Sequence, residues 1–234
     1  MRAIFKKEMN TYFDTPFGYV FVGIYLVLSG IMFTLYNLLG GNSRLAGMFD
    51  LMKNFTFIIF PILTMRMFAE ERKNGTEDYL LTSHLSVWDI VLGKFFAACA
   101  LFAAALLVTL VYVGIIAVYG YADAASITVS YVGFFLLGVS MIAICTFTSS
   151  FADNQITAAI SSFGVLFLMV MLLSFTKSLS VPIITPLLSA LAITKQYDAF
   201  TLGVLTPGPV LYYIGVTAIS LVLAVKNIEL RRFR

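Results

Sequence analysis

Charge is what this chain has least of. Only 12% of its 234 residues are Asp, Glu, Lys or Arg, while 60% are hydrophobic and the mean hydropathy is +0.96. A soluble domain carries about twice that share of charge, so a water-soluble globule is excluded and an integral membrane protein is expected. Histidine occurs once, at His84, which rules out H-E-x-x-H and any histidine-rich metal centre. Cys99 and Cys145, the two cysteines, both fall inside apolar runs, so they form no disulfide framework. The one Gly-Lys pair is Gly93-Lys94, and Trp88 stands where a phosphate-binding loop needs its first glycine. No G-x-S-x-G elbow is present either. The chain is therefore expected to be no enzyme and to bind no cofactor of its own. Its net charge of +3 is spread between the apolar runs, which gives no nucleic-acid surface.

What is present is apolar length. A helix needs about 20 apolar residues to cross a hydrocarbon layer, and the windows 15–43, 95–122, 124–152, 154–176 and 199–225 contain no charge. A shorter window, 54–65, becomes a sixth span if helix runs on past both ends while Lys53 and Arg66 snorkel to opposite interfaces. Phe, Leu, Ile and Val come in blocks rather than in polar-apolar alternation, which reads as helix and not as barrel strand. The expected fold is thus all-α and integral to the membrane, one transmembrane domain over 1–234 with spans at 17–39, 46–68, 89–119, 127–150, 155–176 and 209–226. Residues 1–16 space Ile4, Phe5, Met9, Tyr12 and Phe13 at helical intervals around lysines, the pattern of an interfacial helix. The apolar run 17–39 is longer than a signal-peptide core and no A-x-A site follows it before Arg44, so it is kept as the first span.

Lys and Arg number 11 in segments 1–16, 66–94, 150–155 and 226–234, against 4 in 40–53, 120–127 and 176–208. The positive-inside rule then puts both termini in the cytoplasm. Two connections exceed simple turns. Segment 177–208 is external and holds an 11-residue apolar run, 183–193, among Pro182, Pro186, Pro207 and Pro209; it is either a re-entrant helical piece or an amphipathic surface hairpin. Segment 66–94 is cytoplasmic and the most charged. There Gly75 is placed to end one helix in the left-handed conformation, and Thr76 to cap a short helix whose first turn holds Glu77 and Asp78. Ser86 with Asp89 three residues on opens the next span. The short helix, 76–83, exposes Tyr79, Leu80 and Leu81 and is too short to stand alone. Either the ends of its own spans cover it, or a soluble partner receives it in a groove.

The stretches FAEERKNGTEDYLLTS and VWDIVLGKFFAA resemble the link between the second and third spans of type-2 ATP-binding-cassette (ABC) exporter permeases, particularly the gliding-motility and nitrous-oxide-reductase-maturation branch. IFKKEMNTYFDTPFGYVF resembles that branch's N-terminal interfacial helix, and YDAFTLGVLTPGPVLYYIG its passage into the sixth span. The resemblance implies a non-catalytic, bacterial inner-membrane subunit. It would pair with a second permease copy or a related permease, sit in the lipid bilayer, and bind cytoplasmic ABC ATPase subunits that hold the ATP and Mg. It further implies that 76–83 is the coupling helix seated in the ATPase, with Glu71, Arg72, Gly75, Thr76, Leu80, Leu81 and Ser83 matching the pattern and Glu77, Asp78 and Tyr79 between them. His84 stands where the family often has Pro. No substrate residue is assigned. Two other readings stay open: an ion-coupled carrier or channel without an ATPase, proton coupling being disfavoured by spans lacking internal charge, and a scaffold subunit of an ABC-type remodelling complex.

Overall fold

The structure of the chain, a computed structural model, describes residues 1–73, 75–76, 86–119, 123–178 and 191–232. Most of the short cytoplasmic helix read at 76–83, and residues 179–190 of the external segment, lie outside them. Among the described residues every regular element is helical. Helix α1 (Arg2–Asp14) ends at Thr15, whose extended backbone and following Pro16 turn the chain into α2 (Pro16–Phe33), continued by a π-helical stretch, Thr34–Leu39. Next come α3 (Leu45–Lys53), α4 (Thr56–Thr64) and α5 (Ala69–Lys73). Helices α6 (Val87–Val108) and α7 (Leu110–Tyr119) are next in the chain, then α8 (Ala124–Phe151), α9 (Gln155–Ser178), a 3-10 turn with α10 (Asp198–Thr201), and α11 (Pro207–Arg232).

Among the described residues, five helical stretches are long and apolar enough to cross a membrane: Pro16–Leu39, Val87–Val118, Ala124–Phe151, Gln155–Leu172 and Pro207–Arg231. The bent pair α3 and α4 supplies a sixth if counted as one span. The chain is a multi-pass membrane protein. Where the sequence reads one helix over 46–68, the two pieces meet at 66° and a turn separates α4 from α5. The physical reason lies with Lys53. Its side chain does not snorkel; it is 9% exposed, bonded to Asp50 at 2.6 Å and to Asp198 at 2.8 Å, and stands 5.6 Å from the centre of the Tyr197 ring. Bending the helix after Lys53 brings the ammonium to that carboxylate, and burial without it would be costly.

Helix α8 is the most buried of the spans and the axis of the bundle. Lipid tails are as apolar as leucine, so helices here associate through close packing and hydrogen bonds rather than by escaping water. Aromatic rings supply the packing: Phe102 meets Tyr25 edge-on at 5.9 Å and Phe60 at 5.1 Å, and Phe49 meets Phe134 and Tyr131 at 4.9 Å. Hydroxyls supply the bonds, Ser29 to Tyr112 at 3.1 Å and Thr148 to Ser162 at 2.6 Å. Where α6 gives way to α7, the carbonyl of Thr109 accepts from the Tyr112 N–H at 2.9 Å and also from the Tyr131 hydroxyl at 2.9 Å. Ala97, Ala98 and Ala105 of α6 are fully buried within the subunit.

Gly138 is where α8 accepts the Phe102 ring: a methyl group there would lie 2.2 Å from Phe102 Cε1 and 3.0 Å from Phe60 Cζ. Gly138→Ala should therefore destabilise the fold by about 1–3 kcal/mol. Gly164→Ala, whose added carbon meets nothing within 4 Å, should leave stability unchanged or raise it. Unfolding midpoints of the two variants in the same detergent check the contrast.

Candidate functional site

The most charged stretch of the sequence is held in place at both of its described ends by local hydrogen bonding. At the first end the Thr76 N–H donates to Glu71 O at 2.9 Å and the Gly75 N–H to Arg72 O at 3.0 Å, with Gly75 at φ +65°. This is the Schellman arrangement, and it needs a residue that adopts positive φ without strain. Thr76 Oγ1 adds a 3.3 Å bond to the same Glu71 carbonyl. At the other end the Ser86 hydroxyl accepts from the Asp89 N–H at 3.1 Å and so caps α6.

Between these ends sits a charged node. Lys94 projects from α6 beyond its capped first turn and is 1% exposed. Its ammonium donates to Glu8 Oε1 of α1 at 2.8 Å and to Met67 O at 2.6 Å, and it pairs with Glu71 Oε2 of α5 at 2.9 Å. An ammonium has three donors, and here each has an acceptor. The Phe68 ring lies 5.5 Å away. Lys7 reaches the other oxygen of Glu71 at 2.9 Å, so two cations and two carboxylates alternate through the node. Three elements distant in sequence meet there: the N-terminal helix, the helix before the segment and the helix after it. Tyr12, buried beside Glu8, has its phenol pushed above its ordinary range by burial first and by the Glu8 charge second, and it stays neutral.

Arg72 forms a second tie. Its guanidinium donates to Ser150 O at 2.7 Å and to Ala152 O, the carbonyls at the C-terminal end of α8. Asn227 of α11 donates to Ser150 O at 2.8 Å, and Arg231 to Phe151 O at 3.0 Å. The last carbonyls of a helix lack intrahelical partners and carry the negative end of its dipole, so cationic donors suit them. The central helix therefore ends on side chains from α5 and α11. Arg66, before α5, forks onto Glu70 and covers the Phe17 ring at 4.8 Å.

Of the residues singled out in the sequence, Glu71 and Arg72 are brought together with the bundle and grip it, while Gly75 and Thr76 form the helix stop. Glu77, Asp78, Tyr79, Leu80, Leu81 and Ser83 lie outside the described residues. Sequence reasoning missed Lys7 and Lys94 as partners of Glu71, and Glu8 as a partner of Lys94. One signal was available: Lys94 is the lone cation inside the apolar run VWDIVLGKFFAA, and a buried lysine requires acceptors.

Comparison with known protein families gives one finding. A family model described as an ABC-2 family transporter protein matches residues 45–225, well over half of the chain. Among curated proteins, none matches.

Removing one partner of a buried ion cluster leaves the others unpaired, whereas neutralising the whole cluster does not. Lys94→Met should cost about 3–5 kcal/mol. The triple variant Lys94→Met, Glu8→Gln, Glu71→Gln should recover most of that loss. Denaturation curves in mixed micelles, run on both variants, measure the difference.

Proposed function

The chain belongs to the ABC-2 transporter family, and from that premise we propose how this permease subunit works. It is a multi-pass membrane subunit of an ABC transporter. In our reading it hydrolyses nothing itself. Separate cytoplasmic ATPase subunits hold the ATP and Mg, and the segment 76–83 is the coupling helix they grip. Tyr79, Leu80 and Leu81 enter a groove of the ATPase, with Glu77, Asp78 and Ser83 at its rim. Both termini lie in the cytoplasm of a bacterial inner membrane, the subunit works beside a second permease, and the direction is export, as in the gliding-motility and nitrous-oxide-reductase-maturation branch that the sequence resembles.

One observation carries this reading: the segment's two described ends are not loose. Glu71 is bonded to Lys94 at 2.9 Å and Arg72 to Ser150 O at 2.7 Å. A push on the segment then reaches α6 through Lys94 and the central helix α8 through Arg72, without depending on either contact alone. ATP binding closes the ATPases, the coupling helix moves with them, and the displacement passes to the spans that line the pathway between two permeases.

Replacing Leu80 and Leu81 with Asp should leave membrane insertion unchanged and abolish association with ATPase subunits co-expressed with the chain. Co-purification from detergent measures it. Retention of the ATPase at the level seen with the unmodified chain would overturn the docking assignment.

A further inference from the structure

Helix α1 has a face that the bundle covers only in part: Phe5 and Met9 lean against the core, while Phe13 and the cations beside the row stay exposed. Ile4, Glu8 and Tyr12, at spacing four, point into the bundle: Ile4 and Tyr12 are buried and Glu8 is bonded to Lys94. Turning about 100° per residue, Phe5, Met9 and Phe13 form a second row beside the first. Phe5 and Met9 are half-buried, and Phe13 is 46% exposed. Arg2 and Lys6, one turn apart and both exposed, flank that row. Neither appears in any ion pair of the described residues.

The first membrane span sets the depth of this face. Phe13 packs edge-on against Tyr19 with ring centres 6.1 Å apart, and Tyr19 lies at the start of the span Pro16–Leu39, 62% exposed. An exposed aromatic pair at the start of a span marks the boundary between headgroups and acyl chains. The row Phe5, Met9, Phe13 therefore runs along that boundary, and Arg2 and Lys6 stand at headgroup height beside it. Basic residues bordering an apolar row are the pattern that attracts anionic lipid.

We propose that Arg2 and Lys6 form a docking site for the headgroup of an anionic phospholipid, whose acyl chains lie along Phe5, Met9 and Phe13. The occupant is a lipid and not a soluble anion, because the apolar row gives the site affinity only for a molecule that also has chains to lay on it. The site bears on the coupling segment through the far side of the same helix: Glu8 and Lys7 reach Lys94 and Glu71. A headgroup that steadies α1 steadies the base of that segment.

The test uses the full chain, without any ATPase, in nanodiscs of phosphatidylcholine alone or mixed with phosphatidylglycerol, so its outcome is independent of the docking of an ATPase. Hydrogen exchange is followed in the peptides of α1 and, as a reference, of α11. Phosphatidylglycerol should slow exchange in α1 by roughly fivefold or more while leaving α11 unchanged. Arg2→Gln with Lys6→Gln should abolish that response and keep the unmodified exchange rate in phosphatidylcholine. Lys73→Gln with Lys226→Gln, which removes two other exposed cations, should keep the response. The proposal is overturned if α1 exchanges equally in both lipids, or if the Arg2 and Lys6 variant responds as the unmodified chain does. It is equally overturned if the Lys73 and Lys226 variant loses the response to the same extent, since the effect would then be one of total charge.

Discussion

A lysine ammonium cannot be left bare in an interior that water does not reach, and the end of the bundle where α1, α5 and α6 meet is built around meeting that demand. Lys94 has an acceptor for each of its three protons: a carboxylate from α1, a carboxylate from α5 and the backbone carbonyl of Met67. Each acceptor comes from a different element, so satisfying one side chain fixes several segments against each other. Such a cluster contributes little net stability over an apolar substitute of the same shape. Its effect is on geometry: the most charged segment leaves the bundle from a base with one arrangement, in which Glu71 cannot shift without uncovering a buried charge.

The same constraint recurs at the opposite end of the bent span. Lys53 is nearly as buried as Lys94 and finds Asp50 and Asp198. The bent pair α3 and α4 thus carries a locked cation at its break and, past the end of α4, Glu71 bound to Lys94. Between the two, cohesion rests on shape. Phe102, Phe60, Phe49 and Phe134 interlock around α8, and the lack of a side chain at Gly138 lets Phe102 come close. In a solvent of acyl chains this fit is the main source of attraction between helices.

Much of this was readable along the chain. The apolar runs disclosed a helical membrane protein, because desolvating a backbone in lipid permits little else; of the six spans read there, five are single long helices among the described residues and the sixth is the bent pair α3 and α4. Gly75 and Ser86 announced a helix stop and a helix start, because φ above zero and an N-cap hydroxyl are local requirements that particular residues meet. The resemblance of FAEERKNGTEDYLLTS to an ABC permease segment agrees with the family that matches residues 45–225. Less readable were the bend after Lys53 and the inward turn of Glu71 and Arg72. Hydropathy counts how apolar a window is and is blind to which partner a charge will meet.

From its residues in order, this protein's solvent, its helical class and the ends of its most charged segment were already determined, since each depends on the chemistry of one residue and its near neighbours. The alternation of Lys7, Glu71, Lys94 and Glu8, the cap that Arg72 places on the central helix, and which residues of α1 stay exposed were decided by tertiary structure alone. Glu8 and Lys94 are 86 positions apart. Only packing could bring them within hydrogen-bonding distance, because the strength of a charge pair depends on distance in space and on the exclusion of water, and neither is a property of sequence order.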